Sequence, residues 1–195
     1  MTNTPEISPD DPRFGFAGVT SAVRGLIDGT GADQLGLPTP CDDFTVKDML
    51  NHINLVMGRV AAIGNGEHFS TVTEESVALD DGHAEAYDEA AHAVMTAWMD
   101  GAKLEQTFEW PAGELPGGPL LFVYTAELAT HGWDLATATG QAIEIDDSLL
   151  QGALMAAKML PADDRAEMPF DDVVDPGPGA STLLQIAGWF GRQVA

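Results

Sequence analysis

Glu127 and His131 are two ionisable residues in the otherwise apolar stripe of the segment PLLFVYTAELATHGWDLATATG, residues 119–140. In a helix, residues four apart lie over one another on one face, with Cβ atoms about 5–6 Å apart. A carboxylate that faces a core is costly unless it is paired or bound to a metal. A carboxylate oxygen and an imidazole nitrogen one turn apart can both reach a single cation at about 2.0–2.2 Å. The spacing therefore indicates either a metal site or a hydrogen-bonded core pair.

His52 is the best candidate for a third ligand. Successive helical residues turn by about 100°, which puts His52 at the edge of an apolar face, beside Met49 and Val56. In helical bundles a metal site is completed by a residue from a facing helix. Two histidines and one glutamate form a ligand set of catalytic zinc sites, which keep one position open, and nickel or iron also accepts such a set. The alternative for His52 is a hydrogen-bonded histidine at the edge of the core.

Four further residues carry reactive or polar groups near these candidates in the sequence. Cys41 has no neighbouring cation or histidine in the sequence, which favours an unreactive thiol. Asp134 could orient the His131 imidazole, although an exposed helical acid is the expected role. Tyr124, one turn before Glu127, could border an open metal position or serve in packing. His92 is the spare histidine with an inward path on its helix.

Hydrophobic periodicity and capping signals predict the elements that would position these residues. Thr45 is the expected N-cap of the second helix, with Asp48 as its capping-box partner and Phe44 as a hydrophobic staple. We expect an all-α protein, an up-down four-helix bundle with an extra C-terminal helix, preceded by a flexible leader over residues 1–13 and forming a single domain over residues 14–195. The predicted helices cover residues 14–28, 46–64, 83–103, 119–140 and 147–159, with a short closing helix over 182–190. Residues 65–82 are expected to form a loop and residues 110–118 a turn-rich connection, and the only weak strand candidate is Val173–Val174.

The charge balance restricts the class of partner. The chain has 31 acidic and 8 basic residues, a net charge of −23. Such a surface repels nucleic acids and anionic membranes, so neither is an expected partner. The polar, acidic N-terminus does not resemble a signal peptide, and no apolar run reaches the length of a membrane span. A single cysteine, Cys41, fits a reducing compartment, and we expect a cytoplasmic protein.

Three segments carry a resemblance to a known family: PTPCDDFTVKDMLNHI (38–53), ELATHGWDLATATGQ (127–141) and LLQIAGWFGR (183–192). They resemble the DinB-like superfamily, in particular actinobacterial single-domain relatives of the N-terminal, metal-binding domain of the mycothiol-dependent maleylpyruvate isomerase. In that family a histidine of the second helix and an E-x-x-x-H pair bind a divalent metal, and these positions fall on His52, Glu127 and His131. Phe44 stands where the family usually has another aromatic residue, a tryptophan. The resemblance also implies that the protein pairs as a homodimer.

Taken together, these features predict a divalent-metal-binding protein, with zinc the first choice and nickel or iron the alternatives. The resemblance implies a metal-dependent enzyme, a thiol-linked transferase or isomerase or a hydrolase, with mycothiol as cosubstrate and a small-molecule thiol or substrate as partner. The alternative is a non-catalytic helical bundle that binds a metal or a small ligand. The isomerase has a second, C-terminal domain that contributes to catalysis, and this sequence is too short to contain one. This difference favours the alternative.

Overall fold

The structure is a computed structural model, and it describes residues 11–41, 44–162, 165 and 170–194. It is predominantly helical, which confirms the predicted all-α, DinB-like bundle. Each predicted helix is present, and the five besides the third begin and end within two residues of the predicted bounds. The helices are α1 (Pro12–Gly29), α2 (Val46–Gly64), α3 (Glu74–Val77), α4 (His83–Ala97), α5 (Gly117–Thr139), α6 (Asp147–Ala157) and α7 (Thr182–Trp189).

Helices α1 and α5 run in the same direction. At one end of the pair Pro12 packs beside Gly118. At the other end the Gln141 side chain donates to the carbonyl of Leu26 at 3.0 Å. Between these ends Gly132 leaves room for Val23, because a Cβ at position 132 would lie only 2.9 Å from that side chain. The close approach of α1 fixes one side of the helix that carries Glu127 and His131.

Helix α2 runs antiparallel to α5. Its last residue, Gly64, and the first residue of α5, Gly117, both pack against the ring of Trp98, so these two ends meet. The Trp98 Nε1–H also donates to the carbonyl of Val60 at 2.9 Å. His52 lies eight residues before Val60 on α2 and is therefore brought opposite the middle of α5.

Helices α2 and α4 are parallel, so the long helices run up, down, down and up in chain order instead of alternating as the predicted up-down bundle would. Helix α4 starts near the first half of α2, where Lys47 pairs with Asp80 and Asn51 accepts from the Leu79 amide at 3.0 Å. It ends beside the C-terminal end of α2, at Trp98. Because two parallel helices cannot be joined by a tight turn, residues 65–82 must return along the bundle, and the short α3 lies in that connection.

The structure corrects the sequence analysis between residues 98 and 116. The third predicted helix ends at Ala97, because the Asp100 side chain accepts from the Ala102 amide and begins a separate 3-10 turn, Gly101–Glu105. The location expected for a strand was also wrong, because Val173 and Val174 form no strand and two strands lie here instead. Strands β1 (Thr107–Trp110) and β2 (Gly113–Pro116) form an antiparallel hairpin. Each strand is only four residues long, too short for its alternation to be distinguished from a turn.

The N-terminal leader is only partly covered by the structure. Helix α1 begins at Pro12, with the Asp11 side chain accepting from the Arg13 amide, so the last two residues of the predicted leader are helical. Residues 1–10 lie outside the described residues. None of the helices that the structure describes combines the length and the apolar character that a bilayer span requires.

A reciprocal capping box fixes the start of α2, as predicted. The Thr45 hydroxyl accepts from the Asp48 amide at 3.3 Å, and the Asp48 carboxylate accepts from the Thr45 amide at 3.0 Å. These bonds satisfy amides that would have no partner within the helix. They hold the α2 backbone two turns before His52.

Thr45→Ala should therefore lower the free energy of unfolding by about 1 kcal/mol, the usual loss for a helix cap. Urea unfolding followed by circular dichroism measures this change. The matched control is Thr73→Ala, which removes the same kind of cap from the four-residue α3, a helix with no buried residue. The control should cost less than about 0.5 kcal/mol. Equal losses in the two variants would contradict a special role for the α2 cap.

Candidate metal centre

His52, Glu127 and His131 meet across the antiparallel α2–α5 interface. The His52 Nε2 lies 3.7 Å from Glu127 Oε1, and the His52 and His131 ring centroids are 4.7 Å apart in an edge-on arrangement. One nitrogen or oxygen from each residue lies within 4.8 Å of the others. The structure therefore brings together all three residues that the sequence singled out, and their role as ligands stays a prediction.

The spacing and chemistry of this cluster fit a small divalent cation. Donor atoms about 2.1 Å from a tetrahedral ion lie about 3.4 Å from one another. The 3.7 Å separation between His52 and Glu127 is close to that value, and every pair of donor atoms lies within 4.8 Å, so side-chain movements of at most about 1.4 Å would bring the set around one ion. Two imidazoles and one carboxylate are borderline donors that suit zinc, nickel or iron better than magnesium or calcium.

Glu127 is ready to bind a cation because it is deprotonated at neutral pH. Partial burial alone would raise the pKa of its carboxyl group. The polar contact with His52 and the nearby charges of His131, His52 and Arg59 outweigh burial, so the pKa lies below its ordinary value. The side chain is 34% exposed, so it is not sealed in the core.

His131 is held as a neutral imidazole with a defined orientation. Burial lowers its pKa below the ordinary value, and the opposing effect of Asp134 does not compensate fully. The His131 Nδ1 lies 3.1 Å from the Asp134 carboxylate, which can only accept, so Nδ1 carries the proton. Nε2 then has the lone pair that a metal requires.

Asp134 corrects one expectation of the sequence analysis. It is not an exposed helical acid, because its side chain is 0% exposed. Arg192 donates to both carboxylate oxygens, Nε to Oδ1 at 2.9 Å and Nη2 to Oδ2 at 2.9 Å. Burial would raise the pKa of Asp134, but the hydrogen bonds with His131 and Arg192 outweigh burial and keep the pKa below its ordinary value. The carboxylate therefore connects the end of the chain to His131.

Arg192 is the residue of this centre that the sequence did not identify. It follows α7 in the segment LLQIAGWFGR, which was recognised only as a closing element. One signal in the sequence pointed to a missing partner. Asp134 lies three residues after His131 on the same side of the helix, so a buried acid there would need a cation. No periodic pattern indicates that residues after α7 turn back to α5, so the ion pair required the tertiary structure.

Cys41 also differs from expectation, because it has a histidine and a cation nearby. A second group of ligand-type atoms, from Cys41, His131 and Asp134, lies within 4.8 Å. Arg192 is close enough to interact electrostatically with the Cys41 thiol. This second group is a poorer metal site than the first, since a cation there would have to displace Arg192 from Asp134.

A cavity of about 390 Å³ opens beside His52. The Phe44 ring closes one side of it, 5.3 Å from the His52 ring. The walls come from the first half of α2 and from α3, and they are Phe44, Asp48, Asn51, His52, Leu55, Glu74, Val77 and Ala78. Its volume lies in the range of small-molecule sites, about 300–1,000 Å³. The predicted staple residue Phe44 therefore also borders a route by which a ligand can reach His52.

The remaining candidates of the sequence analysis have separate outcomes. His92 lies on α4 and is exposed, so the expected inward path was wrong. Tyr124 is 3% exposed, and its hydroxyl makes no hydrogen bond to any residue that the structure describes. Packing alone does not explain this tyrosine, since phenylalanine would fill the same space without an unsatisfied hydroxyl.

The fold and the site define a DinB-like helical bundle with a candidate centre between its second helix and α5. Comparison with known proteins identifies the family. The profile of the mycothiol maleylpyruvate isomerase N-terminal domain matches residues 16–136, which is more than half of the chain, and the chain belongs to this family. The match contains all three residues of the candidate centre.

Two further comparisons agree with this assignment. Two uncharacterised proteins of Mycobacterium tuberculosis, from strains CDC 1551 and H37Rv, are each 35% identical over 153 residues, covering 77% of this chain and 79% of theirs. The crystal structure of a histidine-to-alanine mutant of the mycothiol-dependent maleylpyruvate isomerase has a TM-score of 0.57 to this chain, with 12% identity, covering 80% of this chain and 70% of the isomerase. At that identity the similarity concerns the fold alone.

We predict that Arg192→Met destabilises the protein by about 3–5 kcal/mol, because it leaves the Asp134 carboxylate buried without its cation. Urea unfolding at neutral pH measures the loss. Adding Asp134→Asn to this variant should recover part of it, since the uncompensated charge is then gone. The matched control is Arg24→Met, which removes solvent-exposed pairs with Asp28 and Asp88 and should cost less than about 1 kcal/mol. An Arg192→Met variant as stable as the control would contradict the proposed importance of this pair.

Proposed function

We propose that the protein binds one divalent metal ion through His52, Glu127 and His131 and uses it in a reaction of a low-molecular-weight thiol. The observation that carries the proposal is the meeting of two imidazoles and a carboxylate within 4.8 Å across the α2–α5 interface. Zinc is the expected metal, with nickel or iron as alternatives. The family description, which names mycothiol, supports this thiol as the cosubstrate.

The residues of the centre have distinct parts in such a reaction. An ion held here would supply Lewis-acid chemistry, which increases the deprotonated fraction of a thiol or of water at neutral pH. Glu127 provides a negative charge that offsets the cation. Asp134 fixes the His131 ring through Nδ1, so that Nε2 keeps one orientation. Three protein ligands leave at least one coordination position for a ligand that enters from the cavity beside His52.

The chemistry of this site is compatible with a transferase, an isomerase or a hydrolase. We favour a thiol-dependent transferase or isomerase, because the family description joins mycothiol to an isomerase and the centre has an accessible cavity beside it. A thiol would enter as the nucleophile, and its proton would leave to solvent or to a nearby base. A protein that binds metal and thiol without turnover is the alternative, and the measurements below separate the two.

We predict that the purified chain, prepared without a histidine tag, binds one equivalent of zinc. Elemental analysis and equilibrium dialysis measure the stoichiometry. His131→Ala and Glu127→Gln should each abolish stoichiometric binding, because each removes a ligand from a set of three. The matched control is His92→Ala, which removes an exposed histidine of α4 and should retain a full equivalent.

A third ligand variant, His52→Ala, tests the thiol. Calorimetric titration of the zinc-loaded protein with mycothiol should give heat of binding that is lost in His52→Ala. Conversion of an electrophilic substrate by the zinc–thiol complex would identify an enzyme, whereas binding without conversion would favour the non-catalytic alternative. Full zinc occupancy in His131→Ala would refute the assigned centre.

A further inference from the structure

We propose that Arg59 and Tyr124 form a binding subsite for a carboxylate group of the ligand, next to the candidate metal centre. The inference deepens the proposed function and rests on it, because the other end of the ligand would be held at His52, Glu127 and His131. It concerns which class of small molecule the site selects.

The antiparallel register of α2 and α5 places the two residues at one level of the bundle. Arg59 follows His52 by seven residues, and Tyr124 precedes His131 by seven, so each lies two turns away on the same face of its helix. Because the helices run in opposite directions, both steps lead toward the same end of the bundle. Arg59 is close enough to Tyr124 and Glu127 for its positive charge to lower the pKa of both groups, which agrees with this placement.

Tyr124 offers a buried hydrogen-bond donor that lacks a partner. The side chain is 3% exposed, and its hydroxyl bonds to none of the described residues. An unsatisfied buried hydroxyl costs about 1–3 kcal/mol, so such groups are rare in folded proteins without a function. Burial and the nearby Glu127 raise the pKa of Tyr124, which keeps the hydroxyl protonated and able to donate.

Arg59 offers a cation with free donors. Its Nε donates to the carbonyl of Val72 at 3.3 Å, and the guanidinium lies 6.0 Å from the Phe69 ring centroid. Within the described ranges the guanidinium forms no ion pair, and its two terminal nitrogens make no hydrogen bond. The chain has only eight basic residues. Three of its other arginines, Arg13, Arg24 and Arg192, are each bound to an aspartate.

A planar guanidinium and a phenolic hydroxyl are complementary to a carboxylate, which accepts several hydrogen bonds at once. The subsite lies one to two helical turns from the cluster, roughly 5–10 Å along the helix axis. The ligand is therefore a short molecule with a metal-binding group at one end and a carboxylate at the other, or a pair of small molecules that together supply these groups.

The test compares two thiols that differ only in charge, 3-mercaptopropionate and 3-mercaptopropionamide, by calorimetric titration of the zinc-loaded full chain. The carboxylate should bind at least about tenfold more tightly than the amide. The net charge of −23 opposes any anion, so this preference cannot come from the general field. Arg59→Gln and Tyr124→Phe should each reduce the ratio toward one while the amide binds as before. Equal affinities in the unaltered protein would overturn the proposal.

Two controls separate the subsite from folding and from the metal. Lys158→Gln removes the same charge from an exposed position and should keep the preference. Tyr124→Phe should leave the unliganded protein as stable as before or more so, because the hydroxyl has no partner to lose; a loss of stability would instead indicate a structural role.

In zinc-free protein, propionate should shift the Arg59 Nε–H resonance. That arm decides the subsite even if zinc fails to bind, an outcome that would refute only the proposed function.

Discussion

The buried pair of Asp134 and Arg192 is the interaction on which the candidate centre depends. Both charges are removed from water, and each is compensated mainly by the other. Because the carboxylate also accepts from His131, the conformation of the chain end and the orientation of an imidazole in α5 are set by one group. The segment after α7 therefore does more than complete the core: it determines which nitrogen of His131 is available to a ligand.

The scarcity of basic residues makes their positions informative. Lys103 donates to the carbonyls of Gly64 and Ala97, at 2.6 and 2.5 Å, where α2 and α4 end together. A cation at this point stabilises two helix C-termini and thereby the parallel arrangement of α2 and α4. Arg192 compensates a buried acid, and Arg59 lies near the candidate centre. The surplus of acidic residues stays largely at the surface, where solvation is sufficient.

The sequence predicted the helices and three residues of the centre because these depend on local patterns. The Glu127–His131 spacing and the Thr45 cap are properties of single helices, and the period of each helix places its side chains on a face. The parts that were wrong or missing depend on contacts between distant segments. Asp134 appeared exposed because its partner, Arg192, is 58 residues away. The environment of Cys41 was missed for the same reason, and the hairpin strands were too short to show a period.

The candidate centre and the cavity beside it are built by different parts of the fold. The three ligand-type residues belong to two long, tightly packed helices, so their geometry is set by the bundle itself. The cavity wall at Glu74, Val77 and Ala78 belongs instead to the connection between α2 and α4, and Val72, which positions Arg59, belongs to the same connection. Connections of this kind tolerate change better than packed helices. A change between residues 65 and 82 would therefore alter the cavity wall and the surroundings of Arg59 without moving the three ligand-type residues.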